Sequence, residues 1–112
     1  MTEISTHVLD LGRGAPAAGI DVTLERAGAS GAFDRVGQGT TSADGRVASF
    51  GDGAHAAGHY RLVFAIEAYQ RAQGIEPLFP AVQIVFVVAA DAPKYHLPLL
   101  LSPFGYSVYR GS

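Results

Sequence analysis

The sequence predicts an all-β fold, arranged as a two-sheet sandwich of about eight strands with one short helix. Apolar residues recur in short segments that Gly, Pro, Asp and Ser interrupt, a pattern typical of β-rich domains. Residues 20–26 alternate between apolar and polar with the period of a half-buried strand, and only residues 67–74 favour a helix. The length of 112 residues suits one compact core, so we expect residues 1–112 to form a single domain.

Four strands are expected in the first half of the chain. They are residues 6–11, 20–26, 33–41 and 46–49. Residues 12–16 predict a turn after the first strand, and residues 27–32 are a Gly-rich connection after the second. Gly37 and Gly39 weaken the third strand, because glycine has no side chain to pack within a sheet. A turn precedes the fourth strand, because Gly45 supplies the positive φ that such a corner needs.

The second half of the chain predicts four more strands and the helix. The strands are residues 59–66, 81–88, 94–101 and 104–110. They follow a loop rich in Gly and Ala at residues 51–58. The helix is expected over residues 67–74, where Gly74 is suited to end it, and its shortness makes it depend on docking. Pro98 has no backbone N–H to donate, so we expect that side of its strand to face an edge or an opening.

The composition predicts a chain that buries part of its surface against a partner. Hydrophobic residues make up 48% and charged residues only 16%, against about 25% charged residues in an average soluble domain. The formal net charge of -2 offers no basic surface to a phosphate backbone, so nucleic acid is not expected as a partner. The chain has no cysteine, which excludes disulfides and thiolate chemistry.

No segment predicts a membrane span or a secretory leader. The longest mainly apolar run, residues 81–90, is interrupted by Gln83 and is shorter than the about 20 residues that a membrane helix needs. Residues 1–7 have neither the basic region nor the apolar region of a signal peptide. We therefore expect no membrane partner and a cytoplasmic location.

Histidine dominates the acid–base chemistry that this chain could perform near neutral pH. His55 and His59 are four residues apart, but no third ligand accompanies them, so we expect a structural or exposed role for both and no bound metal. His7 and His96 lie in apolar strands, where a lone histidine is more often a hydrogen-bonded structural residue than a catalyst. The chain also lacks a nucleophile elbow, a P-loop and a dinucleotide fingerprint, so no cofactor is expected.

Five local motifs favour a catalytic role for His7 and His96 over a structural one. They are His-Val-Leu-Asp at residues 7–10, Thr-x-x-Asp-Gly-Arg at 41–46, Tyr-His-Leu-Pro-Leu-Leu at 95–100, Ser-Pro-Phe-Gly-Tyr at 102–106 and the terminal Tyr-Arg-Gly-Ser at 109–112. Together with residues 74–80, they closely resemble the 5-hydroxyisourate hydrolases, the enzymatic branch of the transthyretin-like family. The resemblance covers nearly the whole chain.

This resemblance implies a transthyretin-like sandwich, a hydrolase activity and a set of site residues. The implied reaction opens the ring of 5-hydroxyisourate, a product of urate oxidation in purine metabolism, to 2-oxo-4-hydroxy-4-carboxy-5-ureidoimidazoline. The implied catalytic residues are His7, Arg46 and His96, and the implied substrate-binding residues are His7, Arg46, Tyr109, Arg110, Gly111 and Ser112. In this hypothesis the imidazoles activate a water, while Arg46 and Arg110 keep them neutral and stabilise the oxyanion.

The resemblance also implies a homotetramer, a dimer of dimers with the sites at the dimer–dimer interface. Closed two-fold symmetry suits such an assembly. An edge strand ending in residues 106–109 would be prone to aggregation if it stayed unpaired, so pairing with a second copy has a physical benefit.

Two other functions remain open on the sequence. The carrier branch of the same family binds hormone in the central channel of this scaffold, and a shared fold does not decide between carrier and enzyme. A carrier is expected to lack the His and Arg set and the terminal Tyr-Arg-Gly-Ser, which this chain has. A purely structural sandwich is the third possibility, and it predicts that His7, Arg46 and His96 lie far apart.

Overall fold

Two β-sheets and one helix make up the chain, and the computed structural model describes all of residues 1–112. The strands are β1 (Glu3–Asp10), β2 (Ala15–Pro16), β3 (Asp21–Ala27), β4 (Phe33–Thr40), β5 (Arg46–Val47), β6 (Gly58–Phe64), β7 (Val82–Val88), β8 (Lys94–Ser102) and β9 (Gly105–Val108). The helix is α1 (Ile66–Ala72), between β6 and β7. The all-β sandwich predicted from the sequence is confirmed.

The first sheet joins the beginning of the chain to its end. Its strand order is β2-β1-β8-β9, and β5 pairs with β1. β1 and β8 run parallel, so that Ser5 and His96 are direct neighbours although they are 91 residues apart in sequence. β5 runs antiparallel to β1 and places Arg46 opposite His7. This sheet therefore brings three of the sequence motifs side by side.

The second sheet has the order β4-β3-β6-β7, and all its strands are antiparallel. β7 forms one edge of this sheet, where the side chains of Val85 and Val87 are exposed. The pairing of β3 with β4 shifts register between Leu24 and Glu25, a bulge that bends the strand locally.

The core lies between the two sheets, because alternate residues of each strand turn inward. In β1 the even-numbered residues are buried and the odd-numbered residues face outward. Seventeen buried hydrophobic residues form one continuous cluster, with Ile4 and Leu99 from the first sheet and Leu24 and Leu62 from the second among its fully buried members. The outward-facing residues of the first sheet are thus free to carry function.

Helix α1 begins one residue earlier than predicted, at Ile66, which is fully buried against the core. It ends at Ala72, and Gly74 follows in a left-handed conformation with φ +77°. The N–H of Ile75 donates to the carbonyl of Gln70 at 2.9 Å, which satisfies a carbonyl that the helix end leaves free. The role predicted for Gly74 is confirmed. This helix is too short to cross a membrane.

Most strand boundaries differ from the prediction by one to three residues, and three differences change the first sheet. Residues 15 and 16 were predicted to lie in a turn, but they form β2, a ninth strand. They do so because they pair antiparallel with Leu9 and Asp10 of β1. β1 begins at Glu3 rather than at residue 6, since its first residues already pair with β8. β9 ends at Val108 rather than at residue 110.

Pro98 lies where the ladder between β8 and the end of the chain opens. The last pair of β8 with β9 joins Leu99 to Val108, and the next contact is an isolated bridge between His96 and Gly111. Residues two apart along a strand present their peptide groups to the same neighbour, so the missing donor of Pro98 faces this gap. The opening expected at Pro98 is therefore present.

Candidate active site

Ser5, His7, Arg46 and His96 share the surface of the first sheet that points away from the core, called the outer face below. Ser5 and His7 are odd-numbered residues of β1 and therefore both point outward. Residues that oppose each other on neighbouring strands share a face, so Arg46 joins His7 and His96 joins Ser5. A purely structural sandwich predicts these groups far apart, and the structure instead gathers them on three neighbouring strands.

The turn before β5 places Arg46, and each residue of the Thr-x-x-Asp-Gly-Arg motif contributes to it. The hydroxyl of buried Thr41 donates to the carbonyl of Ala17 at 2.7 Å and accepts from the N–H of Ile20 at 2.9 Å. Gly45 has φ +79°, and a β-carbon there would stand 2.5 Å from the carbonyl oxygen of Val8. Only glycine fits this corner, which holds the turn against β1.

Asp44 connects the turn to both His7 and Arg46. Its carboxylate oxygen Oδ2 lies 3.4 Å from Nε of Arg46. The hydroxyl of Ser42 donates to the other carboxylate oxygen, and this bond is the main reason that the pKa of Asp44 lies below its usual value, with the charges of Arg46 and His7 contributing less. Asp44 is thus an anion that restrains the guanidinium of Arg46.

The neutral form of His7 has a defined tautomer. Its Nε2 lies 2.9 Å from the backbone carbonyl oxygen of Asp44. A carbonyl oxygen can only accept, so Nε2 must carry the proton. When His7 is neutral, its lone pair is therefore on Nδ1, and this nitrogen is the one that can take a proton.

The imidazole of His96 is held on two sides. On one side, Nδ1 lies 2.8 Å from Oγ of Ser5. On the other side, Gly111 packs so closely that a β-carbon at this position would stand 2.7 Å from Cδ2 of the ring. Burial lowers the pKa of His96 below its usual value near 6.5, and the positive charges of Arg46, His7 and Lys94 lower it further. The ring is therefore neutral near neutral pH.

The carboxyl-terminal residues return to the outer face at Gly111. The N–H of Gly111 donates to the carbonyl of His96 at 2.6 Å, which anchors the tail beside the histidine. Tyr109 is half exposed, and Ser112 is exposed and makes no ion pair through its carboxylate within the single chain. The tail thus brings Gly111, with Ser112 next to it, to the edge of the group formed by His7, Arg46 and His96, called the His and Arg cluster below.

Arg110 does not join that cluster. Its guanidinium stacks over the ring of Tyr95 with Cζ 4.0 Å from the ring centre, and its Nη2 lies 3.4 Å from the carbonyl of Lys94. Tyr95 packs against the core, on the opposite side of β8 from His96. In the single chain Arg110 therefore does not reach the histidines, and its role in keeping them neutral stays a prediction for the assembled protein.

Sequence reasoning also missed the contacts of two residues that shape this site, Ser5 and Asp44. Ser5 stands two residues before His7, and this spacing alone could have placed it on the same face. Its partner could not be found that way, because the contact with His96 depends on the parallel pairing of β1 with β8. The stacking of Arg110 on Tyr95 likewise depends on where the tail returns.

The outer face is open in the single chain, and the one cavity lies elsewhere. This cavity, of about 390 Å³, is lined by Met1, Arg26, Val36, Asp52, Ala54, His55, Ala56 and Tyr60. His55 is buried there, with Nε2 3.1 Å from the carbonyl of Phe50, whereas His59 is exposed on β6. No three His, Asp or Glu side chains converge in a way that could hold a metal ion.

Comparison with known proteins gives consistent results. The family model described as HIUase/Transthyretin family matches residues 4–111. A 5-hydroxyisourate hydrolase from Mesorhizobium japonicum is 46% identical over 115 residues, which cover 97% of this chain and 91% of that protein.

Two solved structures share the fold over nearly their whole length. The 5-hydroxyisourate hydrolase of Klebsiella pneumoniae superposes with a TM-score of 0.88 at 38% identity, covering 100% of both chains. Sea bream transthyretin in complex with thyroxine superposes with a TM-score of 0.91 at 29% identity, covering 97% of this chain and 94% of that one. The fold is thus common to an enzyme and to a protein crystallised with a hormone. The fold alone therefore does not assign a function to this chain, and the residues of the site must do so.

Proposed function

Because this chain belongs to the HIUase/transthyretin family, we propose that it is a 5-hydroxyisourate hydrolase. The observation that carries this proposal is the common location of His7, Arg46 and His96 on the outer face, beside the tail residue Gly111. Relatives named 5-hydroxyisourate hydrolase, such as the one from Mesorhizobium japonicum, support the same activity. A hormone carrier would have no use for two imidazoles and a guanidinium on one face of neighbouring strands.

The reaction starts with a water that attacks a ring carbonyl of 5-hydroxyisourate. The lone pair on Nδ1 of His7 takes a proton from this water as its oxygen bonds to the carbonyl carbon. The ring C–N bond then breaks, and the proton passes to the departing nitrogen. The product proposed is 2-oxo-4-hydroxy-4-carboxy-5-ureidoimidazoline.

Arg46 stabilises the negative charge that develops on the carbonyl oxygen. A fixed guanidinium is suited to this task, and the Asp44 carboxylate limits its movement. Arg46 also contributes to the low pKa of His96, so the imidazole of His96 stays neutral near neutral pH. The backbone of residues 109–112 offers donors and acceptors for the amide-like edges of the substrate.

A homotetramer would complete this site. In a single chain the outer face is open to solvent, whereas electrostatic stabilisation of an oxyanion is strongest where water is excluded. β9 is an edge strand of the first sheet and β7 is an edge strand of the second, so both can pair with another copy. We propose a dimer of dimers in which another copy covers the outer face.

The deciding experiment follows freshly generated 5-hydroxyisourate by absorbance, with and without the protein, against its spontaneous decay. The His7→Ala variant should lose most of the activity, while His59→Ala, which changes an exposed histidine on the other sheet, should keep it. A chain that lacks residues 110–112 should also be inactive. Decay at the spontaneous rate with the intact protein would refute the proposed activity.

The proposed assembly has its own test. Activity should fall when the protein is diluted or carries a charged residue at the free edge of β9, and sedimentation should show dissociation over the same range. A fully active monomer would refute a site shared between copies.

A further inference from the structure

Ser5 makes one side-chain hydrogen bond, and it goes to His96. Its Oγ lies 2.8 Å from Nδ1 of the imidazole. The contact is built into the sheet, because the parallel ladder of β1 and β8 sets the two residues directly opposite each other. Both side chains are partly buried, so water competes with this bond less than it would at an exposed position.

We propose that Ser5 is a positioning residue of the site, whose hydroxyl donates to Nδ1 of His96 and so fixes the neutral imidazole with its proton on Nε2. The direction of this hydrogen bond follows from the acceptors that the Ser5 hydroxyl can reach. Nδ1 is the only protein acceptor that the Ser5 hydroxyl reaches, so donation to it uses the hydroxyl proton within the protein.

Fixing this tautomer determines which atom of His96 meets the substrate. Nδ1 is occupied by Ser5, and Cδ2 is covered by the backbone of Gly111. The ring therefore presents its remaining nitrogen, Nε2, as an N–H donor. Such a donor can hold a substrate carbonyl by a hydrogen bond.

The two histidines then have opposite roles while both are neutral. His7 has its proton on Nε2, bound to the carbonyl of Asp44, and offers a lone pair on Nδ1. His96 has its lone pair bound to Ser5 and offers a proton on Nε2. In such a pair, Nδ1 of His7 can take the proton from water and pass it to the departing nitrogen, while the N–H of His96 holds the substrate oxygen by a hydrogen bond. This division rests on the proposed function, but the tautomer of His96 can be measured without substrate.

The test combines Ser5→Ala, Ser5→Thr and the matched control Thr6→Val. Thr6 makes the equivalent link on the inner side, where its hydroxyl donates to the carbonyl of Leu97 at 2.7 Å. Thr6→Val therefore removes a side-chain bond between the same two strands without touching His96. Each variant is examined by ¹⁵N NMR of the histidine side chains above pH 7 and by its kcat for 5-hydroxyisourate.

In the wild-type protein, we expect the ¹⁵N shifts of His96 to show an unprotonated Nδ1 and a protonated Nε2. Ser5→Ala should give a mixture of tautomers and lower kcat by about 5-fold, because one hydrogen bond is worth roughly 1 kcal/mol. Ser5→Thr, which keeps the hydroxyl, should restore both readouts. Thr6→Val should lower the melting temperature but leave the tautomer unchanged.

Several outcomes would overturn the inference. One is a protonated Nδ1 in the wild-type protein, and another is an unchanged tautomer in Ser5→Ala. A third is a Thr6→Val variant that shifts the tautomer as much as Ser5→Ala does. An inactive wild-type protein with the expected tautomer would instead refute the proposed hydrolase activity and leave the role of Ser5 at His96 standing.

Discussion

Gly111 lies so close to His96 that no other residue could take its place without moving the tail or the ring. Its N–H donates to the carbonyl of His96 at 2.6 Å, and a β-carbon would stand 2.7 Å from Cδ2 and 3.3 Å from Cγ of Pro98. The imidazole cannot easily yield, since Ser5 holds its other side. The end of the chain and the histidine are therefore positioned by the same contact.

Gly111→Ala should disturb the site more than the fold. The β-carbon would displace the tail from His96, and a shift of about 1 Å in an active site can cost about 100-fold in rate. We expect a loss of that order in kcat/KM with a melting temperature close to that of the wild type. Gly105→Ala is the matched control, because no atom lies within 4 Å of a β-carbon there and its φ is unstrained. Equal activity of the two variants would contradict the role given to Gly111.

Arg46→Ala should reduce the rate without unfolding the protein. The side chain is 51% exposed, so its loss removes little packing. Losing one preorganised group at an oxyanion costs roughly 3 kcal/mol, or on the order of 100-fold in kcat. Steady-state kinetics and thermal melting measure the two effects, and Arg35→Ala, an exposed arginine on the second sheet, should change neither. A large drop in melting temperature with normal kcat would show that Arg46 is structural.

The pKa of His96 should respond to Arg46 and not to Arg110. Burial, the largest cause, keeps this pKa below 6.5, and the charge of Arg46 lowers it further. Arg46→Ala should therefore raise the pKa of His96 in an NMR titration, whereas Arg110→Ala should leave it unchanged, because that guanidinium stacks on Tyr95. A pKa that rises only in Arg110→Ala would show that the assembled protein turns Arg110 toward the site.

The lowered pKa of His96 also determines how the stability of the fold changes with pH. Folding disfavours the charged form of His96, so the unfolded chain binds the extra proton more readily as the pH falls. The stabilisation linked to His96 is therefore complete above about pH 6.5 and is lost as the pH falls below it. An NMR titration of the His96 ring should therefore show protonation centred below pH 6.5. Protonation of His96 centred above pH 6.5 would contradict this direction.

Thr41→Val should destabilise the protein through the turn that holds Arg46. The hydroxyl of Thr41 satisfies the carbonyl of Ala17 and the N–H of Ile20, both of which would lose a partner. An unsatisfied buried polar group costs about 1–3 kcal/mol, so the free energy of unfolding should fall by that amount in urea denaturation. Thr40→Val changes the exposed neighbour and should cost less than about 0.5 kcal/mol. Equal effects of the two substitutions would mean that Thr41 does not anchor the turn.

The sequence by itself determined the class of fold and most of the element order. Alternation of apolar residues is a local property, so strands such as β3 were predictable within one or two residues. The corner at Gly45 and the helix end at Gly74 were equally predictable, because glycine adopts a positive φ without the steric cost that other residues meet. The motifs that contain His7, Arg46 and His96 identified the site residues but not their arrangement.

Only the tertiary structure decided which side chains meet. The contact of Ser5 with His96 depends on the parallel register of two strands 91 residues apart, and no local pattern encodes it. The turn of Arg110 toward Tyr95 depends on how the tail crosses the edge of β8. Pairing between distant strands is set by the packing of the whole core, and this is why the geometry of the site could not be derived from the order of its residues.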